Sequence, residues 1–314
     1  MPIDRRDLGR LILAATCWAV GTVVSKAALA EFPPLTLLAV QLASSLVVLA
    51  VLLVRQGASV AGAPPRLGRL GLLNPGLAYA LSLLGLTTIT ASLSVMLWAL
   101  EPLLIVALAA IFLRERITPA FVALSLVAVA GIVVILWDPG ATGGELIGVA
   151  LTVAGVGCCA IYSVMTRRFI PDAPETGQVA FAQQAHALVL ALGLLIVVIA
   201  LGGSAMPTAM TSLGLASAVG SGVLYYAGAY WFYLGALRRT PASFAALSFY
   251  MIPIIGLAAS AIILGERLEP HQWLGAALAL SAILTIFRLA QRHADRPFGT
   301  RPSAEPLILG DESH

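Results

Sequence analysis

Apolar residues fill most of this chain, in runs of about twenty broken by short polar or proline-rich stretches. Such runs predict helical spans near 9–29, 34–54, 69–89, 92–113, 118–137, 145–166, 178–201, 213–236, 242–264 and 270–290. Pro33-Pro34, 55–69, Asp138-Pro139-Gly140, 171–176 and 202–212 read as the connecting loops. None of the runs alternates with period 2. In lipid only helices and closed barrels satisfy their own backbone groups, so the pattern predicts helices. The stretch 293–314, rich in proline and charge, reads as a disordered cytoplasmic tail.

Composition agrees with a chain that spans a membrane many times. Of 314 residues 60% are hydrophobic and 11% charged, and the mean hydropathy is +0.96, far too little charge to cover a soluble surface. The net charge of +3 forms no basic stripe, which excludes a nucleic-acid footprint. Its positive residues sort by side. With the N-terminus in the cytoplasm, sixteen arginines fall in cytoplasmic segments and Arg267 alone falls outside; Lys26 lies in the first span. That bias puts both termini in the cytoplasm, and the Ala/Leu/Arg-rich composition suits a bacterial inner membrane. Cys17, Cys158 and Cys159 all lie in apolar runs without metal-ligand spacing, and read as small hydrophobes.

An internal repeat divides the chain. An offset of 151 lays 91–136 on 242–287 without a gap and matches thirteen of 46 positions, among them Pro102, Glu115, Arg116 and Pro119 with Pro253, Glu266, Arg267 and Pro270. Tyr79 falls on Tyr230 under the same offset, and an offset of 141 lays Ser25-Lys26 on Thr166-Arg167. Five spans per copy is an odd number, so the second copy enters the membrane from the opposite face. The expected fold is therefore an all-α membrane protein of ten helices in two inverted five-helix repeats, 1–137 and 138–292. Inverted repeats are a recurrent device of secondary transporters, because exchanging the conformations of the halves exchanges access.

The stretch PIIGLAASAIILGERLEPHQWLGAALALSAILTIF (253–287), its weaker copy at 102–136 and the opening CWAVGTVVSKAAL (17–29) resemble the EamA-type drug/metabolite transporters. The resemblance covers about 9–290. It departs at Arg114, where the family has glycine. It implies ten helices around a central cavity and transport of small metabolites, often amino acids; aromatic amino-acid exporters of the YddG type are the lead subgroup.

The residues offer candidates for a solute site. Glu101 lies at mid-membrane, where an unpaired carboxylate is costly, and could meet a substrate amine or carry a proton. Its repeat counterpart is Ile252, so symmetry does not require it. Trp18, Tyr79, Trp98, Tyr162, Tyr226, Tyr230 and Tyr250 combine apolar rings with polar tips, as a cavity for mixed-polarity solutes needs. Tyr226, Tyr230 and Tyr233 are expected on one face, beyond a close-packing ridge of Gly214, Ala218 and Gly222. Lys26 and His186 are candidate charge contacts, with snorkelling and polar helix–helix bonding as the respective alternatives. Pro102 and Pro253, at equivalent mid-membrane points, are candidate hinges. Gly275, Ala279 and their neighbours form a small-residue face that would pack on the fifth span or on another protomer.

Hydrolase, P-loop and zincin motifs do not occur, nor do paired carboxylates or His/Cys clusters at membrane depth, which counts against an embedded enzyme and against a cofactor or metal. No nucleotide-binding domain is present, so transport is not directly ATP-driven. The expected partners are a small-molecule substrate, the lipid bilayer and protons as a candidate coupling ion, with a monomer or weak homo-oligomer as the assembly. A facilitator or an exporter of drugs is the competing reading.

Overall fold

The computed structural model describes residues 5–101, 103–105, 107–108, 119–135, 143–169, 176–237, 249 and 251–294. Their regular structure is helical, with no strand among them. Proline starts several helices, where its missing N–H costs nothing. The helices are α1 (Arg5–Ala28), α2 (Pro34–Arg55), α3 (Pro65–Arg69), α4 (Ala78–Leu86), α5 (Ala91–Trp98), α6 (Pro119–Ile135), α7 (Gly143–Phe169), α8 (Thr176–Ala200), α9 (Ser212–Gly222), α10 (Ala229–Leu237), α11 (Met251–Ile263) and α12 (Pro270–Ala294). Four runs are each long and apolar enough to cross a bilayer unaided: Arg6–Ala28, Pro34–Arg55, Gly143–Thr166 and Gly177–Ala200. Their outward faces carry exposed Val47, Val54, Leu146, Ile147, Val189 and Ile196. Apolar side chains outside and buried glutamines inside invert the soluble pattern and fit lipid as the surrounding solvent.

Two predicted spans contain π-helical segments. The third begins earlier than expected, at Pro65, and runs through a 3-10 turn at Leu70–Leu72 and a π-helical segment at Leu73–Leu77, in which Asn74 has extended backbone, before α4. The eighth has a π-helical segment at Val223–Gly228 between α9 and α10. The 151-residue offset carries the first π segment onto 224–228, so both halves interrupt their third helix at the same place. Each π segment turns the following residues relative to the preceding ones, where a plain α-helix would keep one face.

Packing repeats as well. The helix α7 lies along α4, and α1 lies along α9 and α10; α2 packs on α8, α5 on α11 and α6 on α12. Exchanging the two halves maps each of these contacts onto itself or onto another of the set. The match extends to residues: Leu11 packs on Ala236, and their counterparts under the two offsets, Thr152 and Gly85, lie against each other. The chain is thus an all-helical, two-repeat membrane bundle.

Small residues set the closest approaches. Gly222 sits on the Gln41 backbone, so α2 is the helix that the 214–222 ridge admits. The small-residue face of α12 packs inside the molecule: Gly131 and Gly275 face each other across the α6–α12 seam. Buried glutamines tie the bundle at mid-depth. Gln41 donates to Ser25 Oγ and Ser221 Oγ, both at 2.8 Å, joining α2 to α1 and α9. Gln183 accepts from Tyr162 Oη at 2.9 Å and donates to the Leu67 carbonyl at 3.2 Å, joining α8 to α7 and α3. Gln184 accepts from Ser45 Oγ and donates to the Tyr226 carbonyl. The second helix of each half therefore carries the polar cross-tie.

Candidate functional site

The centre of the bundle collects rings. Tyr79 on α4 stacks on Trp98 of α5 with centroids 5.3 Å apart, and stands edge-on to Tyr225 and Tyr226 at 5.0 and 5.3 Å. Trp98 Nε1 donates to Ser82 Oγ at 3.1 Å, which fixes the indole against α4. The Tyr225 and Tyr230 hydroxyls lie within electrostatic reach of that of Tyr79. Such edge and offset arrangements are the favoured geometries of ring pairs.

Glu101 lies beside this cluster. The α5 helix tightens at Ala99 and Leu100, whose amides bond back three residues to Met96 and Leu97, and helix resumes at Glu101. The Cys159 thiol of α7 donates to Glu101 Oε1 at 3.1 Å. Tyr162 and Tyr225 lie within electrostatic reach of the carboxylate. Among the described residues no cationic side chain pairs with it. Glu101, Tyr162, Tyr225 and Tyr230 all keep partly accessible surface although they sit deep in the bundle. A carboxylate at that depth is costly to leave unpaired, and among the described residues it has one thiol donor and no positive charge.

A second ring group sits at the counterpart position. Trp18 contacts Tyr230, Tyr233 and Phe249, with centroids 5.8, 5.5 and 5.4 Å away, and Ile252 packs on the same group. The two offsets relate Trp18 to Cys159, Gly21 to Tyr162, Trp98 to Phe249 and Glu101 to Ile252. One half-site is closed by apolar bulk. The other puts a thiol and a carboxylate where its twin puts an indole and an isoleucine. The two halves thus depart from symmetry at Cys159 and Glu101.

The structure brings Tyr79, Trp98, Glu101, Tyr162, Tyr226 and Tyr230 into one region, with Trp18 in the adjoining group. Tyr226 is 2% exposed and carries cross-bundle packing more than surface. Pro102 and Tyr250 lie outside the described residues. Pro253 is buried in the first turn of α11. Lys26 is half-buried, and its Nζ donates to the Leu86 and Ile89 carbonyls at 2.7 and 2.8 Å. His186 bonds through Nδ1 to the Ala182 carbonyl of its own helix and packs on Gly68.

Two residues of the site were not among the candidates. Tyr225 enters because the π segment turns it inward against Gly21. Cys159 proves to be more than a small hydrophobe, since its thiol is the described hydrogen-bond partner of Glu101. The alignment of Cys159 with Trp18 was the available signal for it. No group of three or more His, Cys, Asp or Glu able to hold a metal occurs among the described residues.

Comparison with known proteins agrees with this architecture. Residues 9–137 and 146–288 each match the model of the EamA-like transporter family. An uncharacterized transporter of Archaeoglobus fulgidus is 24% identical over 278 residues, which cover 88% of this chain and 97% of that protein. A protein known from a crystal structure superposes with a TM-score of 0.65 at 20% identity, over 91% of this chain and 98% of the other, a likeness of fold alone. With a repeated helical bundle and two matches to one family, the chain belongs to the EamA-like transporter family, a family of membrane transporters.

Proposed function

We propose that this protein is a secondary transporter that exports small amine-bearing metabolites, aromatic amino acids first among them, by alternating access. The observation that carries the reading is Glu101: a carboxylate deep in the bundle, bonded to a thiol, set among tyrosine and tryptophan rings. An ammonium group would supply the missing positive charge, and ring faces add cation–π attraction. An aromatic side chain on the solute would lie against Tyr79 and Trp98. Halves 1–137 and 138–292, ten spans, cytoplasmic termini and a bacterial inner membrane complete the reading, with the chain acting alone or as a weak homo-oligomer. A proton taken up by Glu101 from the far side would compete with the solute's ammonium for the carboxylate, displacing the solute and coupling export to the proton gradient.

One observation favours a second reading. Among the described residues Lys26 is the cation nearest the centre by sequence position, and it is spent on backbone carbonyls. Among the described residues a solute carboxylate would then find only neutral donors at the rings, so drugs or metabolites with a net positive charge are the competing substrates.

Reconstituted protein assayed with labelled phenylalanine and phenylethylamine, with and without a pH gradient, separates the readings. Saturable phenylalanine uptake supports the first, and phenylethylamine alone the second. Gradient dependence lost in Glu101→Gln supports proton coupling. Uptake of neither compound, or uptake equal to that of protein-free liposomes, overturns both.

A further inference from the structure

The turn at 87–90 links the two elements that carry Tyr79, Ser82 and Trp98, and its ends are held from outside. Lys26 of α1 donates to the Leu86 carbonyl at the end of α4 and to the Ile89 carbonyl within the turn. Glu266, from the α11–α12 turn in the other half, takes the start of α5: Oε1 accepts from Ala91 N at 2.9 Å, and Oε2 accepts from Ser92 N at 2.9 Å and Ser92 Oγ at 2.7 Å. A cation on the carbonyl end of one helix and an anion on the amide end of the next each oppose the local helix charge. Gly265, at φ +69, makes the reversal that aims Glu266 back at α5.

Local capping alone does not call for this arrangement. Thr90 already caps α5, its Oγ1 accepting from Leu93 N at 3.1 Å. Glu266 adds a bond that crosses between the halves. Lys26 and Glu266 are both only half-buried, so water can replace their bonds at small cost, as a reversible contact needs. The sequence holds the same pieces again: the offset of 151 lays Ala91, Ser92 and Glu266 on Ala242, Ser243 and Glu115, and that of 141 lays Lys26 on Arg167.

We propose that Lys26 and Glu266 form a latch that closes the ring and Glu101 site towards the membrane side on which Glu266 lies. Holding the 87–90 turn fixes the Tyr79 and Trp98 elements together; releasing it lets them part. This rests on the alternating-access reading above, and its test does not need a known substrate.

Cys159, bonded to Glu101, is a native reporter of access to the site. With Cys17 and Cys158 replaced by serine, oriented vesicles are exposed to a membrane-impermeant cationic thiol reagent, applied from one side and then from the other. The latch predicts that Glu266→Gln and Lys26→Met each speed Cys159 labelling about tenfold from the Glu266 side alone, that the double variant gains less than the product, and that Glu266→Asp falls between. Rates within twofold of the parent in monodisperse protein overturn the latch. Faster labelling from both sides means general loosening and overturns it too. If a single variant is not monodisperse, Ser92→Ala, which removes one of the three Glu266 bonds, is read by the same criterion. One-sided labelling in a protein that moves no amine would retain the latch and sink the substrate reading; uptake with unchanged labelling would do the reverse.

Discussion

Gly131 and Gly275 face each other where α6 and α12 pack, and neither has room for a methyl group. A Cβ on Gly131 would lie 2.6 Å from the Gly275 carbonyl oxygen and 2.7 Å from the Ala279 amide nitrogen, while ordinary contact begins at 3.4 Å. Both obstacles are backbone, so no rotamer change relieves them. The helices must separate by most of an ångström along a seam that also buries Ala128, Ile135, Ala276, Ala279 and Ala282. Overpacking of this kind costs about 2 kcal/mol, and the loosened seam adds about half as much again, or about 3 kcal/mol in all for Gly131→Ala. Gly157, inside α7, has nothing within 4 Å of an added Cβ. The same substitution there gains about 0.5–1 kcal/mol from backbone entropy and helix propensity. Equilibrium unfolding in mixed micelles should therefore separate two Gly→Ala variants by more than 3 kcal/mol, with opposite signs. Equal stabilities within ~0.5 kcal/mol would refute the close approach of α6 and α12.

Two further substitutions test the packing and the loops. Ser45→Ala strips the donor from Gln184 Oε1 while both residues stay buried; it should cost about 1–2 kcal/mol in the same unfolding assay, and a neutral result would mean the pair is not formed. Glu31 accepts from Thr211 N and Oγ1 at the start of α9. Glu31→Gln should speed hydrogen exchange of the Leu213–Leu215 amides several-fold, worth about 0.5–1 kcal/mol, and leave α7 exchange unchanged.

Much of the fold was legible because lipid leaves few choices. Apolar runs announced helices, and arginine placement predicted an orientation. Proline and Glu-Arg matches at one offset announced the repeat, which the π segments and the Leu11–Ala236 and Thr152–Gly85 contacts then reproduce. What composition could not announce was local. Nothing apolar marks Leu73–Leu77 or Val223–Gly228 as π-helical, so the register of the eighth-span tyrosines was read as one continuous face and Tyr225 was passed over. Lys26 was read from its depth, as a headgroup or substrate contact; its partners are main-chain carbonyls sixty residues on, invisible to composition. Glu101 stood out for the opposite reason, since a carboxylate in an apolar run is conspicuous however the chain folds. Its thiol partner could be found only by laying the halves over each other and asking where symmetry fails.

Exchange transport tests the central claim most directly, that Glu101 and its rings bind a solute that crosses by alternating access. Liposomes loaded with unlabelled phenylalanine or phenylethylamine would be assayed for entry of the same labelled compound, for the parent protein and for Glu101→Gln. The account predicts that internal solute accelerates entry several-fold in the parent and that the acceleration disappears in the variant. Entry indifferent to the internal solute, or acceleration equally strong in Glu101→Gln, would contradict it.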